Sequence, residues 1–155
     1  MTNIKHTMYM RRLLIFFTFL TGFLSASAQT GLKVNDLFQG RIIPQERLVE
    51  TRVRGKTLEK YQLSYYRSLR FTATEAETAR LRQLVEDDAR GHFASVSGKN
   101  HSYTYKVQAS PQNGKNRFLC YREDWTGRDS DHEVTVIYME GTVGSLGELE
   151  ELLNK

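Results

Sequence analysis

The sequence predicts an α+β domain with an antiparallel sheet of about five strands, in the element order α-β-β-α-β-β-β-α, and helices packed on one face. Several segments alternate apolar and polar residues with the period of a strand. Two other segments carry the start signal of a helix, and Asn113-Gly114 separates two of the strand-like segments. Strands joined by hairpins, with helices set between groups of strands, are typical of an α+β domain.

The first part of the domain predicts a short helix followed by two strands. Residues 34–38 have helical spacing, but Gly40 limits this helix to one or two turns. Residues 49–54 alternate and predict the first strand. The second strand is expected in residues 58–71, and its length predicts a bend or bulge near Ser64–Ser68.

A long helix follows the second strand. Thr74 and Glu77 have the spacing of a capping box, and Gly91 supplies the residue type that stops a helix. Leu84 lies on the apolar stripe, so we expect it in the core. Residues 93–100 are serine- and glycine-rich and are interpreted as a loop.

Three strands and a second capped helix complete the chain. Asn113-Gly114 predicts a tight hairpin turn, because both residues tolerate a positive φ angle. Ser145 and Glu148 repeat the capping-box spacing, and Leu149 is expected in the core. The predicted strands are residues 103–109, 117–123 and 134–140.

The N-terminus is typical of a secretory signal peptide. The apolar run Leu13–Leu24 follows three basic residues and is too short to cross a bilayer, which takes about 20 residues. Ala26 and Ala28 form an A-x-A cleavage site, so we expect residues 1–28 to be removed and residues 29–155 to form one domain. An uncleaved interfacial helix is the alternative. The only cysteine is Cys120, so the first mature residue offers no lipid attachment site, and we expect an unanchored protein in the periplasm or outside the cell.

The charge of the mature chain argues against a nucleic-acid partner. The full chain has 22 basic and 18 acidic residues, a net charge of +4. Three of the basic residues and none of the acidic ones precede Gln29, so the mature chain carries about +1. Nucleic-acid binding requires a strong positive field, and we expect no such partner.

The sequence contains no catalytic motif, so an enzyme is the second hypothesis. G-x-S-x-G, H-E-x-x-H and a glycine-rich phosphate loop are all missing from the sequence. The acidic pairs Asp87-Asp88 and Glu150-Glu151 are interpreted as solvated charges. If the protein is a small extracytoplasmic enzyme, its site is expected near His132 and the loop that carries Asp129 and Asp131.

The same loop is the candidate metal site. Hard cations bind several oxygen ligands, and Asp129, Asp131 and His132 lie close together in the sequence. The glycine of this loop precedes the aspartates, unlike that of an EF-hand, and a solvated turn explains the composition equally well. We therefore expect no cofactor, with a divalent cation as the alternative.

The leading hypothesis is a non-enzymatic domain that binds a protein, peptide or glycan through one face of its sheet. Tyr103, Tyr105 and Trp125 are the candidate ligand-binding residues, because Tyr and Trp combine a large apolar surface with a polar group. The two tyrosines share one strand face. That face is either open to a ligand or packed on the long helix.

The sequence resembles a known group of proteins in three segments: VNDLF, VETRVRGKTLEKYQLSYYRSLRF and VTVIYMEGTVGSLGELEELL. These segments are similar to small exported proteins of Bacteroidetes that carry a domain of unknown function. The resemblance extends over about Leu32–Leu153. It implies a signal peptide and a small α+β domain, and it implies no activity or active-site residues.

We predict that the exported protein begins at Gln29 and is soluble. The short apolar run and the A-x-A site direct cleavage after Ala28. N-terminal sequencing or the intact mass of the exported material measures this directly. Retention of residues 1–28 would contradict the prediction.

Overall fold

The computed structural model describes residues 31–99, 101–125 and 131–155. The chain divides into two units, Met1–Leu32 and Lys33–Lys155, and the sheet and all described helices belong to the second unit. The predicted signal peptide, residues 1–28, lies outside the described residues.

Six strands form one antiparallel sheet in the order β1-β2-β6-β5-β4-β3. The strands are β1 (Val49–Arg54), β2 (Leu63–Thr74), β3 (Phe93–Lys99), β4 (Ser102–Gln112), β5 (Lys115–Asp124) and β6 (Asp131–Gly141). The α-helices are α1 (Asn35–Phe38), α2 (Glu75–Ala89) and α3 (Leu146–Leu153), and short 3₁₀ helices cover Gln45–Arg47 and Lys56–Tyr61. The α+β class and the single antiparallel sheet are confirmed.

The sheet has six strands rather than about five, because residues predicted as a loop form β3. Serine and glycine give this segment a weak strand pattern, but its backbone pairs with β4 from Phe93 to Lys99. A 3₁₀ helix covers Lys56–Tyr61, so residues 58–61 do not form the predicted start of β2. The predicted irregularity in β2 is confirmed at its beginning, between Leu63 and Tyr65.

Helix α2 packs on the sheet face that carries Leu69, Tyr121 and Val136, which we call the α2 face. The capping box is confirmed: the Thr74 hydroxyl accepts from the Glu77 N–H at 3.3 Å, and the Glu77 carboxylate accepts from the Thr74 N–H at 2.9 Å. The apolar stripe predicted from Leu81, Leu84 and Val85 is confirmed in part, because Leu84 is only half-buried. The fully buried side chains are Leu81 and Val85.

The end of α2 also holds the segment that leads into α1. The buried Asp88 carboxylate accepts hydrogen bonds from the backbone N–H groups of Lys33, at 2.6 Å, and Val34, at 2.9 Å. The interpretation of Asp88 as a solvated charge is therefore wrong. Phe38 of α1 then meets Tyr138 edge to face, which places α1 on the α2 face as well.

Helix α3 packs on the opposite face of the sheet, which we call the α3 face. Leu146 and Leu149 share one cluster with Phe118 and Met139. Phe118 precedes Leu119 of the α2 face, and successive strand residues point to opposite faces. The prediction that the helices share one face is therefore wrong. Near Phe118 and Met139 the strands carry apolar residues on both faces of the sheet, so the sequence pattern of these strands does not show on which face α3 packs.

The β4–β5 hairpin confirms the predicted turn. Gln112 pairs with Lys115, so Asn113 and Gly114 are the two turn residues. Their φ angles are 54° and 73°. Positive φ at both positions is the geometry that an Asn-Gly turn provides.

We predict that Gly141→Ala destabilises the domain by about 2 kcal/mol or more, since overpacking against backbone cannot relax easily. A Cβ atom at Gly141 would lie 2.1 Å from the Gln62 carbonyl oxygen. The matched control is Gly147→Ala in α3, because a Cβ atom at Gly147 would have no neighbour within 4 Å outside its own stretch of helix. Alanine at this position should be neutral or should stabilise the domain by up to about 1 kcal/mol. Urea denaturation measures both variants, and equal stabilities would contradict the close approach.

Candidate functional site

A groove of about 670 Å³ lies on the α3 face, beside the part that α3 covers. It crosses five strands, from β2 to β3. Its lining is polar and charged: Arg70, Ser97, Thr104, Lys106, Cys120, Arg122, Asp124, Glu133, Thr135 and Ile137. No aromatic ring is among these lining residues.

One row of side chains forms the middle of the groove. The strand registers place Arg70 beside Thr135, Thr135 beside Arg122, Arg122 beside Thr104, and Thr104 beside Ser97. Residues directly opposite in an antiparallel pair share a face, so this arginine row is continuous across the sheet. Along this row, the Thr135 hydroxyl lies between the two arginines, and the hydroxyl groups of Thr104 and Ser97 follow Arg122.

The charged groups of the groove are joined in exposed ion pairs. Arg122 donates to Asp124 along β5 at 2.8 Å, and Arg70 pairs with Glu133. Exposed pairs of this kind stabilise a fold by about 0–1 kcal/mol. A ligand carboxylate can therefore replace the present partner of either arginine at little cost in folding free energy.

Cys120 lies on the groove floor between two cations. It pairs across the strands with Lys106 and precedes Arg122 by two residues. Burial raises the pKa of the Cys120 thiol, although both cations act to lower it. A thiol that stays protonated is a poor nucleophile.

The sequence-predicted ligand-binding residues lie elsewhere. Tyr103 and Tyr105 are on the α2 face, where each is half-buried, and the Arg82 guanidinium lies 5.1 Å from the Tyr103 ring centre. Trp125 follows β5 and meets the rings of His101 and His132, at centroid distances of 6.1 and 5.6 Å. The structure thus places Trp125 apart from the open groove, beside a polar cluster.

This cluster surrounds the carboxylate of Glu123, a residue that is 0% exposed. The Arg82 guanidinium of α2 donates to both carboxylate oxygens, with the Nε–Oε2 contact at 2.8 Å. The Tyr121 hydroxyl donates to Oε2 at 2.9 Å, and His132 Nδ1 lies 2.8 Å from Oε1. We call these four side chains the Glu123 network.

The partners decide the ionisation of the buried acid. Burial alone would raise the pKa of Glu123. The hydrogen bonds from Arg82 and Tyr121 and the charge of Arg82 lower it by more than burial raises it, so the pKa of Glu123 is below its usual value. Burial and the neighbouring carboxylate raise the pKa of Tyr121, which stays a neutral donor. Glu123 is therefore a carboxylate held by fixed donors.

Sequence reasoning missed the Glu123 network, although part of its signal is visible. Glu123 continues the alternation of Leu119 and Tyr121, so it falls on an apolar strand face. An acid at such a position needs a partner, because an unpaired buried charge is costly. The partner Arg82 lies in a different element, and no local pattern connects the two.

The predicted cation site is only partly within the described residues. Asp129 lies outside them, whereas Asp131 is exposed at the start of β6 and His132 turns its Nδ1 to Glu123. Among the residues that the structure describes, no three His, Cys, Asp or Glu side chains are grouped to hold a metal ion.

The fold and groove define a small α+β domain with one six-stranded antiparallel sheet. Residues 21–153 match DUF6108, a family of unknown function, and the chain belongs to that family. The predicted resemblance to a domain of unknown function is confirmed. A comparison with curated proteins found none that matches. Within the described part of the chain, no helix has the length and apolar character to span a membrane.

We predict that Arg82→Met destabilises the domain by about 2 kcal/mol at pH 7, because it leaves a buried carboxylate without its cation. The expected loss of stability is no larger because the Arg82 side chain is 38% exposed, and water screens its charge. The matched control is Arg122→Met, which breaks an exposed pair and should cost less than about 1 kcal/mol. Chemical denaturation measures both.

The pH dependence gives this prediction a second test. The folded-state pKa of Glu123 is depressed, so its contribution is present above the unfolded value, about 4.3, and is lost as the pH falls through the folded value. The stability difference between the wild type and Arg82→Met should therefore shrink below about pH 4.3. A difference that stays constant down to acid pH would contradict an ion pair at this position.

Proposed function

We propose that this protein is an exported, non-enzymatic binding domain that holds an extended, acidic segment of a partner protein in the groove of the α3 face. The observation that carries the proposal is the continuous arginine row across the part of the α3 face that helix α3 does not cover. The segment 1–28, with its basic start and A-x-A site, supports export.

The side chains of the groove favour an acidic ligand. Arginine forks bind carboxylates through two parallel hydrogen bonds, and such charge-assisted bonds are stronger than neutral ones. Arg70 and Arg122 stand on either side of Thr135, on strands separated only by β6. The backbone positions of the two arginines are roughly 10 Å apart, a separation that suits acidic side chains spaced along an extended chain.

The same side chains make a glycan a less suitable ligand. Rings that stack on sugars are large aromatic side chains with an apolar face. Most of the described residues that line the groove carry hydroxyl or charged groups, and none of them carries an aromatic ring. A protein or peptide segment therefore fits this surface better than a neutral sugar chain.

The Glu123 network supports a second candidate, a small extracytoplasmic enzyme. A carboxylate bound to His132 Nδ1 fixes the orientation of the ring and leaves Nε2 as its second nitrogen, as in general-base histidines. None of the described residues forms a hydrogen bond with Nε2. A nucleophile beside this histidine is not found among the described contacts, so the binding function has the stronger support.

We predict that a fluorescein-labelled oligoglutamate peptide binds the exported protein and that Arg122→Gln weakens this binding about tenfold or more. The loss corresponds to one or two charge-assisted hydrogen bonds. Binding should also weaken as salt is added, because the contacts are exposed. Fluorescence polarisation measures the dissociation constants.

The matched control is Arg41→Gln, which breaks the exposed Arg41–Asp36 pair outside the groove and should leave binding unchanged. An oligolysine peptide of the same length tests the sign of the charge. Equal binding of both peptides, or equal loss with both variants, would reject the groove as the site. A hydrolytic activity that depends on His132 but not on Arg122 would favour the second candidate.

A further inference from the structure

We propose that two copies of this chain pair edge to edge through β3, so that their two sheets continue as one antiparallel sheet. Strand β3 is the last strand of the sheet order, and its one neighbour among the described strands is β4. Its outer edge therefore presents backbone donors and acceptors that a second strand can pair with.

The edge of β3 has few of the features that usually prevent such pairing, because its one charged residue is Lys99 at its C-terminal end. The residues from Phe93 to Gly98 include no charge and no proline, and the pairing with β4 runs without a register shift. Phe93 is 67% exposed and Val96 is 52% exposed. Natural edge strands are protected by charges, proline or bulges, and an exposed apolar edge is a site of association.

The opposite edge of the same sheet shows the contrast. Strand β1 carries Glu50, Arg52 and Arg54 at alternate positions, and the Glu50 carboxylate also binds Arg67 of β2. Charges of this density oppose the approach of another strand. The sheet thus has one protected edge and one edge that can accept a partner.

The sequence of β3 fits a second copy of itself. A two-fold axis through Val96 places Val96 opposite Val96, Ser95 opposite Ser97, and Ala94 opposite Gly98. Phe93 then lies opposite Lys99, and the two Lys99 positions are roughly 20 Å apart along the strands. No like charges face each other, which is the self-complementarity that a two-fold interface needs.

This pairing also extends the groove, a consequence that rests on the proposed function. Ser97 ends the arginine row of one copy. In the dimer, Ser97 of one copy lies opposite Ser95 of the second copy. In each copy, Ser95 lies beside Lys106, and Lys106 lies beside Cys120. The two grooves become one polar surface on the same side of a twelve-stranded sheet.

The test compares Val96→Lys with the matched control Val49→Lys, since Val49 is an exposed valine (69%) in the other edge strand. Sedimentation equilibrium of the exported protein from about 1 to about 300 µM should show a dimer with a micromolar dissociation constant. Val96→Lys places two like charges opposite each other and should weaken the dimer about tenfold or more. Val49→Lys should leave it unchanged.

A charge-reversed pair makes the result specific. Mixing Val96→Lys with Val96→Glu should restore the dimer as a heterodimer, because residue 96 faces its own copy. A monomeric wild type over the whole range, an unweakened Val96→Lys dimer, or a dimer lost in Val49→Lys overturns the proposal. If Val96→Lys does not fold, hydrogen exchange of the wild type decides: β3 amides must gain protection with concentration, and unchanged protection overturns it. No ligand is used, so this outcome is independent of peptide binding.

Discussion

The area of sheet that the helices can cover determines the organisation of this domain. Six strands spaced by about 4.8 Å form a sheet roughly 24 Å wide. Helix α2, with 15 residues, is about 22 Å long, whereas α3, with 8 residues, is only about 12 Å long. The α2 face is covered by α2 and α1, but α3 covers only the region around Phe118 and Met139. The groove on the rest of the α3 face is open to water, and most of its lining side chains are charged or carry a hydroxyl group.

Two buried carboxylates locate α2 on its face of the sheet. Glu123 binds Arg82 near the middle of the helix, and Asp88 at its end binds the backbone of the segment before α1. Removing one partner of a buried charge is costly, so each pair strongly disfavours a shifted helix. Apolar contacts through Leu81 and Val85 provide most of the attraction, and these polar contacts select one position.

The features that sequence predicted correctly have local signals. The Thr74 capping box and the Asn113-Gly114 turn each depend on residues within a few positions of one another. The features that it missed depend on pairing with another segment of the chain. Strand β3 is defined by its partner β4 rather than by its own serines, and the arginine row exists only because the registers of five strands bring distant residues side by side. No pattern within one segment contains that register.

The groove and the edge of β3 adjoin each other, because Ser97 of β3 also lines the groove. The arginine row runs toward β3 and ends at Ser97, so the uncovered polar face continues up to the unprotected edge. In the proposed dimer, an acidic segment longer than one groove contacts both copies. Binding at the second groove is then intramolecular, and its effective concentration raises the overall affinity without any new contact. Two arginine rows that act on one ligand therefore give a higher affinity than the row of a single copy.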